Sequence, residues 1–434
     1  MTLADRLLAA LAPWRAAPAW RVAFSGGLDS TVLLHLLAEL RAREALPPLS
    51  AIHVAHGLQV AAEPWPEHCR AVCARLGVEL RVVPVAVARD VASLEQSARE
   101  ARYAAFRDNL AAGEVLLTGQ HRDDQAETLL FRLLRGAGVR GLAGMAANRP
   151  LGAGHLVRPL LGVARAELEA HARNHGLSWV EDPSNADTRF ARNYLRQRVM
   201  PLLAAQWPGA SASLARAAEH CREADLLLGE LAEQDLAPAR EPSPWPWLNV
   251  PSLRLEPLLA LSEVRQRNAL RHWLAPLTRL PDSEHWAGWT HLRDAAGDRT
   301  PRWRLEGGEL QRGAGRLWWL AGDWLNRPQL DVAFAGGACE LPGNGRVCWQ
   351  GDLPPGALRL ACRRGGERLT LAGRGSRDLK RLLNESGLPI FVRDRLPLLL
   401  RGRELLAVAN LPALRAAGVE GQLLWDCPND AARV

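Results

Sequence analysis

From Trp20 to about Thr118, short apolar runs alternate with stretches in which apolar residues recur every three or four positions. The runs Arg21–Phe24, Ser50–Val54, Leu80–Pro84 and Val115–Thr118 read as strands, and Ser30–Arg43, Glu67–Leu76 and Ser93–Leu110 as helices. Strands alternating with helices of this length predict βαβ units. The fold class that follows is α/β, with a parallel sheet covered on both faces. Ligands of such sheets lie beyond the carboxyl ends of the strands. Ahead of this region, Leu3, Leu7, Leu8 and Leu11 mark an amphipathic first helix.

The pattern changes after Pro201. Ser211–Leu236 carries a helical Leu and Ala periodicity, and the breaker-rich "APAREPSPWPW" after it reads as a linker. A tryptophan-rich stretch from about Leu248 to Leu325 predicts a smaller α/β piece, with those rings as core rather than base-stacking platforms. A second Gly/Pro cluster, "AGGACELPGNG", precedes a last module. A chain of 434 residues accommodates two or three domains, and the breaks predict 1–207, 208–345 and 346–434.

Composition adds a partner class. The formal net charge is +7 and the isoelectric point about 9.5, which suits a polyanion. Lys380 is the only lysine, so part of the excess reflects an arginine bias that a solvated surface would also show. Seven scattered cysteines without a CxxC pair indicate reduced thiols and a cytosolic compartment. Cys69 and Cys73 lie one helical turn apart beside His68. No second close pair completes a metal set, which favours buried thiols. No apolar run reaches the roughly 18 residues of a membrane span, so no membrane partner is expected.

The chemistry starts at "VAFSGGLDSTVLLHLL". A turn of glycines between a strand and a helix lets a ligand approach the backbone amides. The first N–H groups of the helix are unpaired and lie at its positive end, so the turn suits phosphate. The hydroxyls of Ser25, Ser30 and Thr31 would add donors. Asp29 reads as a helix cap, or as an acid that meets phosphates through a bridging Mg²⁺. A Walker loop needs a lysine, and none is near. The GxGxxG copy Gly136–Gly141 follows a helix and is set aside.

A second cluster, "GQHRDDQAET", puts His121, Asp124 and Glu127 (or Thr128) on one helical face at a strand end, with Asp123 as a solvated helix-start acid. Such carboxylates hold Mg²⁺ or an ammonium, or act as a base. A third, "EDPSNADTRFARNYLRQRVMPLL", spaces Arg189, Arg192 and Arg196 as a guanidinium stripe fit for phosphates.

Together the SGGxDS turn (Ser25, Gly26, Gly27, Leu28, Asp29, Ser30), "AHGL" at Ala55–Leu58, "SAREARYAAF", "HRDDQAET", "RGAGVRGLAGM", "RPLL" and "EDPSNADTRFARNYLRQRVMPLL" resemble the tRNA(Ile)-lysidine synthase family of PP-loop ATP pyrophosphatases. The C-terminal "RRGGERL…GSRDLKRLLNESGLPIFVRDRLPLLLRGRELLAVANL" is similar to that family's last domain. The match touches residues 20 to about 207 and 360 to 412; Gln59 stands where the family usually has arginine.

The resemblance implies a PP-loop catalytic domain over 1–207, a helical linker plus middle substrate-binding domain over 208–345 and a tRNA-binding domain over 346–434. It implies ATP·Mg²⁺ on Ser25–Ser30 with His56 also at the nucleotide, and Mg²⁺ on Asp29 and Asp124. The catalytic residues would be Asp29, Asp124 and Glu127, the last two holding free L-lysine or taking its proton. The partner would be tRNA(Ile) with a CAU anticodon. Arg132, Arg135, Arg140, Arg189, Arg192 and Arg196 would grip its anticodon stem. Arg377, Lys380 and Arg381, with Arg363, Arg364 and Arg374, would hold the acceptor arm. The wobble cytidine is adenylated at O2 and then attacked by lysine. The alternatives are a 2-thiolating PP-loop enzyme, which usually carries paired catalytic cysteines, and a non-catalytic tRNA-binding relative. A homo-oligomer is compatible with the sequence.

Overall fold

The computed structural model describes residues 1–55, 64–86, 94–280, 285–295 and 300–428. It forms two compact units, Met1–Leu226 and Leu227–Val434. In the first, α1 (Leu3–Leu11) opens on a reciprocal cap. Thr2 Oγ1 accepts from the Asp5 N–H, and the Asp5 carboxylate accepts from the Thr2 N–H. Then follow β1 (Trp20–Ala23), α2 (Leu28–Arg41), β2 (Leu49–Ala55), α3 (Trp65–Leu76), β3 (Glu79–Pro84), α4 (Leu94–Asp108), β4 (Val115–Leu117) and α5 (Arg122–Leu133). A short α6 (Val139–Leu142), the hairpin β5 (Asn148–Leu151) and β6 (Gly154–Val157), and α7 (Arg165–Asn174) complete the layer structure.

The sheet order is β3-β2-β1-β4-β6-β5, parallel except for the edge strand β5. The predicted parallel α/β sheet is therefore present. The chain runs outward from β1 through β2 to β3, then returns across β1 to lay down β4. The order reverses between β1 and β4, the point beyond whose carboxyl ends open α/β sheets place their ligand crevice. The apolar pattern of α2 runs nearly all round, and Val32, Leu33, Leu34, Leu36 and Leu37 are buried on all of its sides. That burial fixes the helix whose first turn lines the crevice. Ile52, Phe106, Leu116 and Leu156 fill the opposite face of the sheet. The hairpin β5–β6 was not anticipated: its strands have four residues each, and a proline in β5 confines it to the edge.

In the second unit, strands Ser252–Arg254, Arg316–Ala321, Gly308–Gly313 and Arg302–Leu305 form an antiparallel sheet, in that order. It packs with Glu263–Leu274 and Ala287–Asp294 around Trp273, Trp286, Trp289, Trp303 and Trp319, so the tryptophans there are core. The stretch expected as a linker is not a free tether. The Arg316 guanidinium donates to the Glu241 carbonyl at 2.6 Å, and Trp245 lies 6.4 Å from Trp318. A further antiparallel sheet and the hairpin Arg368–Leu371/Gly375–Asp378 lead into the helix Leu379–Glu385. Among the described residues, no helix is long and apolar enough to cross a membrane.

Candidate active site at the sheet crossover

The turn after β1 is built on one left-handed glycine. Gly26 has φ +82°, and a Cβ there would lie 2.9 Å from Val180 Cγ2 and 3.1 Å from Cys69 Sγ. Its carbonyl accepts from the Val180 N–H at 2.9 Å. Gly27 takes the N-cap position in extended backbone. The first intrahelical bond runs from the Thr31 N–H to the Gly27 carbonyl, so the N–H groups of Leu28, Asp29 and Ser30 precede the α2 ladder and remain for a ligand. Two expectations are corrected here. Asp29 does not cap α2; it is the helix's second residue. The hydroxyls are turned into the loop: Ser30 and Thr31 donate to the Gly27 carbonyl, each at 3.0 Å, and Ser25 Oγ lies 3.1 Å from Ser30 Oγ. They shape the cradle and leave the first amides of α2 without intrahelical partners. We expect Gly26→Ala to destabilise the first unit by about 2 to 4 kcal/mol, combining left-handed strain with overpacking. It should also weaken ATP binding at least tenfold, as measured by unfolding and nucleotide titration.

The loop after β4 forms the other wall. A Cβ on Gly119 would come within 3.0 Å of the Asp29 carbonyl carbon, so a side chain there would push this loop off the first turn of α2. His121, fully buried, is the N-cap of α5, and its N–H donates to Asp124 Oδ2 at 3.1 Å. Three carboxylates surround its ring. Nε2 lies 3.7 Å from Asp29 Oδ1 and 3.4 Å from Asp124 Oδ2, and Nδ1 lies 3.6 Å from Asp123 Oδ2. Burial alone would lower the His121 pKa, but the carboxylates outweigh it and the pKa is raised. Burial acts the other way on Asp29 and raises its pKa against the pull of His121 and Arg165. Asp29 Oδ1 is buried without a hydrogen-bond donor, an oxygen of the kind Mg²⁺ takes.

Asp123 is corrected from a solvated acid to a tether: it accepts from the Arg165 N–H and the Ser211 hydroxyl, both at 2.8 Å. Arg165, at the first position of α7, points its Nη1 to within 3.7 Å of Asp29 Oδ2. Arg165 was not among the residues expected at the site. A cation opening a helix opposes the helix dipole, and that anomaly was the available signal.

The largest departure concerns the guanidinium stripe. Arg192 lies on α8 (Ala191–Tyr194), and residues Leu195–Val199 continue as a π-helical turn, which resets the spacing of Arg196. Both turn inward. Arg192 reaches Asp124 Oδ1 at 3.1 Å and Glu127 Oε2 at 3.3 Å; Arg196 reaches the same Asp124 oxygen at 2.8 Å and Glu127 Oε1 at 2.7 Å. Asp124 and Glu127 are almost fully buried. Burial pushes the Asp124 carboxyl up, but His121 and the two arginines prevail and hold it low. Burial likewise opposes the charge of Arg196, whose pKa the carboxylates raise. Glu127, not Thr128, faces the site: the Thr128 hydroxyl donates to the Asp124 carbonyl at 2.7 Å.

Other predicted residues fall outside this cluster. Arg189 is exposed and paired with Asp187 at 2.7 Å. Arg132 is pinned to the carbonyls of Gly141 and Gly144, both at 2.8 Å, which makes it a support for the α5–α6 turn. Arg135 and Arg140 are exposed, and Arg135 lies over the Phe131 ring at 5.2 Å. In the second unit Arg374, Arg377, Lys380 and Arg381 are exposed around one hairpin and helix start, and Arg381 pairs with Glu385 at 3.2 Å. His56, with Gly57, Leu58 and Gln59, lies outside the described residues.

Residues 1–203 match the model of the PP-loop domain, 253–318 the TilS substrate binding domain and 358–425 the TilS substrate C-terminal domain. The chain is 62% identical over 440 residues to a Pseudomonas aeruginosa protein named tRNA(Ile)-lysidine synthase, covering 99% of this chain and 98% of that one. It is 38% identical to one of the same name from Shigella flexneri, over 92% of this chain and 94% of that one. A solved U34-tRNA thiolase from Methanococcus maripaludis, which has a [4Fe-4S] cluster, is 19% identical with a TM-score of 0.42, over 51% of this chain and 78% of that one.

Proposed function

The chain belongs to the tRNA(Ile)-lysidine synthase family, and from that premise we propose how its residues divide the work. It is an ATP-dependent tRNA-modifying enzyme that forms lysidine in tRNA(Ile). The C2 oxygen of the wobble cytidine in the CAU anticodon attacks the α-phosphate of ATP and releases pyrophosphate. Adenylation turns a poor leaving oxygen into a good one. The ε-amino group of free L-lysine then attacks C2, AMP departs, and a carbon–nitrogen bond remains. An anticodon base is already single-stranded, so presenting it costs little unstacking.

The observation that carries this reading is the meeting of two walls at the β1/β4 crossover. One offers the N–H groups of Leu28, Asp29 and Ser30, and the other four interlocked charges. The amides hold the departing pyrophosphate. Asp29, with its unsatisfied buried oxygen, would hold Mg²⁺, with Asp124 as a second oxygen donor. When bound there, the ion offsets charge developing on the phosphates. Arg192 and Arg196 hold Asp124 and Glu127 in place at the crossover, where the carboxylates receive the lysine ammonium or its proton. Arg135, Arg140 and Arg189 meet the anticodon stem. The working division is 1–207 for catalysis, 208–345 for the helical linker and middle domain, and 346–434 for the tRNA arm. Cytoplasmic ATP and tRNA suit a chain whose seven cysteines are all free.

Cys69 and Cys73, the pair one helical turn apart, do not suit thiolation. Burial pushes Cys69 up to about 12 and Cys73 up to about 11, far from the thiolate a sulfur carrier needs.

Mass spectrometry of isoleucine tRNA after incubation with ATP and lysine tests the reading. The expected product carries lysine in place of the cytidine O2. Pyrophosphate release that needs tRNA but never proceeds to a lysine adduct would overturn it. For the C-terminal surface, Arg377→Ala with Lys380→Ala and Arg381→Ala should raise the KM for tRNA about tenfold or more and flatten its salt dependence, with kcat at saturating tRNA nearly unchanged.

A further inference from the structure

Helices α2 and α7 pack side by side, and a second cluster of ligand-type side chains sits between them, outside the nucleotide crevice. His35 and Glu39 project from α2, His171 from α7, and His175 from the residue that closes α7. His35 Nδ1 lies 3.1 Å from His171 Nε2 and 3.6 Å from Glu39 Oε2, and His175 Nδ1 lies 3.9 Å from Glu39 Oε1. One donor atom from each of the four residues lies within 4.8 Å of the other three. Spacing of four residues places both members of each pair on one helical face. The His171 and His175 rings stack with centroids 4.2 Å apart, and the His35 ring is 4.9 Å from His175.

A tetrahedral ion bonded to imidazole nitrogen at about 2.0–2.1 Å separates its donors by roughly 3.3–3.4 Å. The contacts of 3.1, 3.6 and 3.9 Å bracket that edge, those to Glu39 through its two different oxygens, and the widest donor separation stays within 4.8 Å. A plain imidazole–imidazole hydrogen bond accounts for the His35–His171 contact alone. It gives no reason for a third imidazole and a carboxylate to converge on the same point. Three nitrogens and one carboxylate oxygen form a borderline donor set, suited to Zn²⁺ and poorly matched to Mg²⁺.

We propose that His35, Glu39, His171 and His175 form a transition-metal site of the Zn²⁺ type that staples α2 to α7. The staple has a defined relation to the crevice. His35 follows Asp29 by six residues on α2, and His171 follows Arg165 by six residues on α7. An ion there holds the two helices about 9 Å along each axis from the Asp29–Arg165 contact.

The test uses the untagged full chain, stripped by a chelator and kept in excess Mg²⁺ to occupy carboxylate sites. Titration with Co²⁺ should give the visible ligand-field bands of a tetrahedral ion with one equivalent bound, and Zn²⁺ should displace it. Zn²⁺ should also raise the thermal midpoint. His171→Ala should lose the bands and weaken Co²⁺ binding at least about a hundredfold. His175→Gln, at the more exposed corner, preserves folding if His171→Ala does not, and should distort the bands and weaken binding about tenfold. Absence of stoichiometric binding at neutral pH overturns the proposal. So does binding unchanged in both variants, or a thiolate charge-transfer band that assigns the metal to cysteine.

Discussion

Asp29→Asn is expected to lower tRNA-dependent pyrophosphate release from ATP by about a thousandfold while leaving the ligand-free protein at least as stable as the parent. The loss of rate follows from removing the one carboxylate that reaches both the amide cradle and the second wall; preorganised electrostatic contacts of this kind are each worth about 10² to 10³ in rate, and a displaced metal adds to that. The stability follows from the sign of the pKa shift. Burial raises the Asp29 pKa in the folded state. A carboxylate whose folded pKa is raised opposes folding once the pH passes its unfolded pKa, so its charge is a net cost at neutral pH. Asn keeps the shape and removes that cost. Pyrophosphate release assays beside thermal unfolding decide the matter. A variant that kept a tenth of the parental rate would remove Asp29 from the metal and phosphate chemistry. One that lost stability with activity would make it a structural residue.

Arg196→Ala should be the most damaging change outside the loops, because it leaves two buried carboxylates on adjacent turns of α5 with only Arg192 between them. Removing one partner of a buried pair costs about 3 to 5 kcal/mol, since the remaining charge is stranded. We expect lysidine formation to fall at least about a hundredfold and unfolding of the first unit to begin at lower temperature. Arg196→Lys should restore part of the stability but less of the activity, because an ammonium cannot bridge Asp124 Oδ1 and both Glu127 oxygens as the planar guanidinium does. The double variant Arg196→Ala/Glu127→Gln should regain stability relative to Arg196→Ala and still not turn over, which separates the structural cost from the catalytic one. Full recovery of turnover in that double variant would mean that Glu127 is only a counter-ion.

The parallel sheet and the glycine turn were legible because they rest on local rules, whereas the strand order that reverses between β1 and β4 was not. Apolar periodicity separates strands from helices, and a strand–glycine–helix junction leaves amides unpaired whatever surrounds it. The acids Asp29, Asp124 and Glu127 were legible as chemistry because they cluster at the carboxyl ends of parallel strands, where such sheets take their ligands. Less legible was which charges satisfy one another. The spacing of Arg189, Arg192 and Arg196 reads as one exposed stripe, yet a π-helical turn and the proximity of α5 send two of them into the interior. Arg132 likewise reads as a phosphate grip but meets carbonyls nine and twelve positions ahead.

The sequence by itself determined the α/β class, the strand–glycine–helix turn and most of the acids and arginines of the site, since each depends on residues close together along the chain. Only the tertiary structure decided the pairing of Arg192 and Arg196 with Asp124 and Glu127, the stranded oxygen of Asp29, the contact of Arg165, and the meeting of His35 with His171. Those depend on which helices the sheet order brings together over separations of 65 residues and more. In a desolvated crevice, such long-range neighbours fix whether a charge is paired or left open to a ligand.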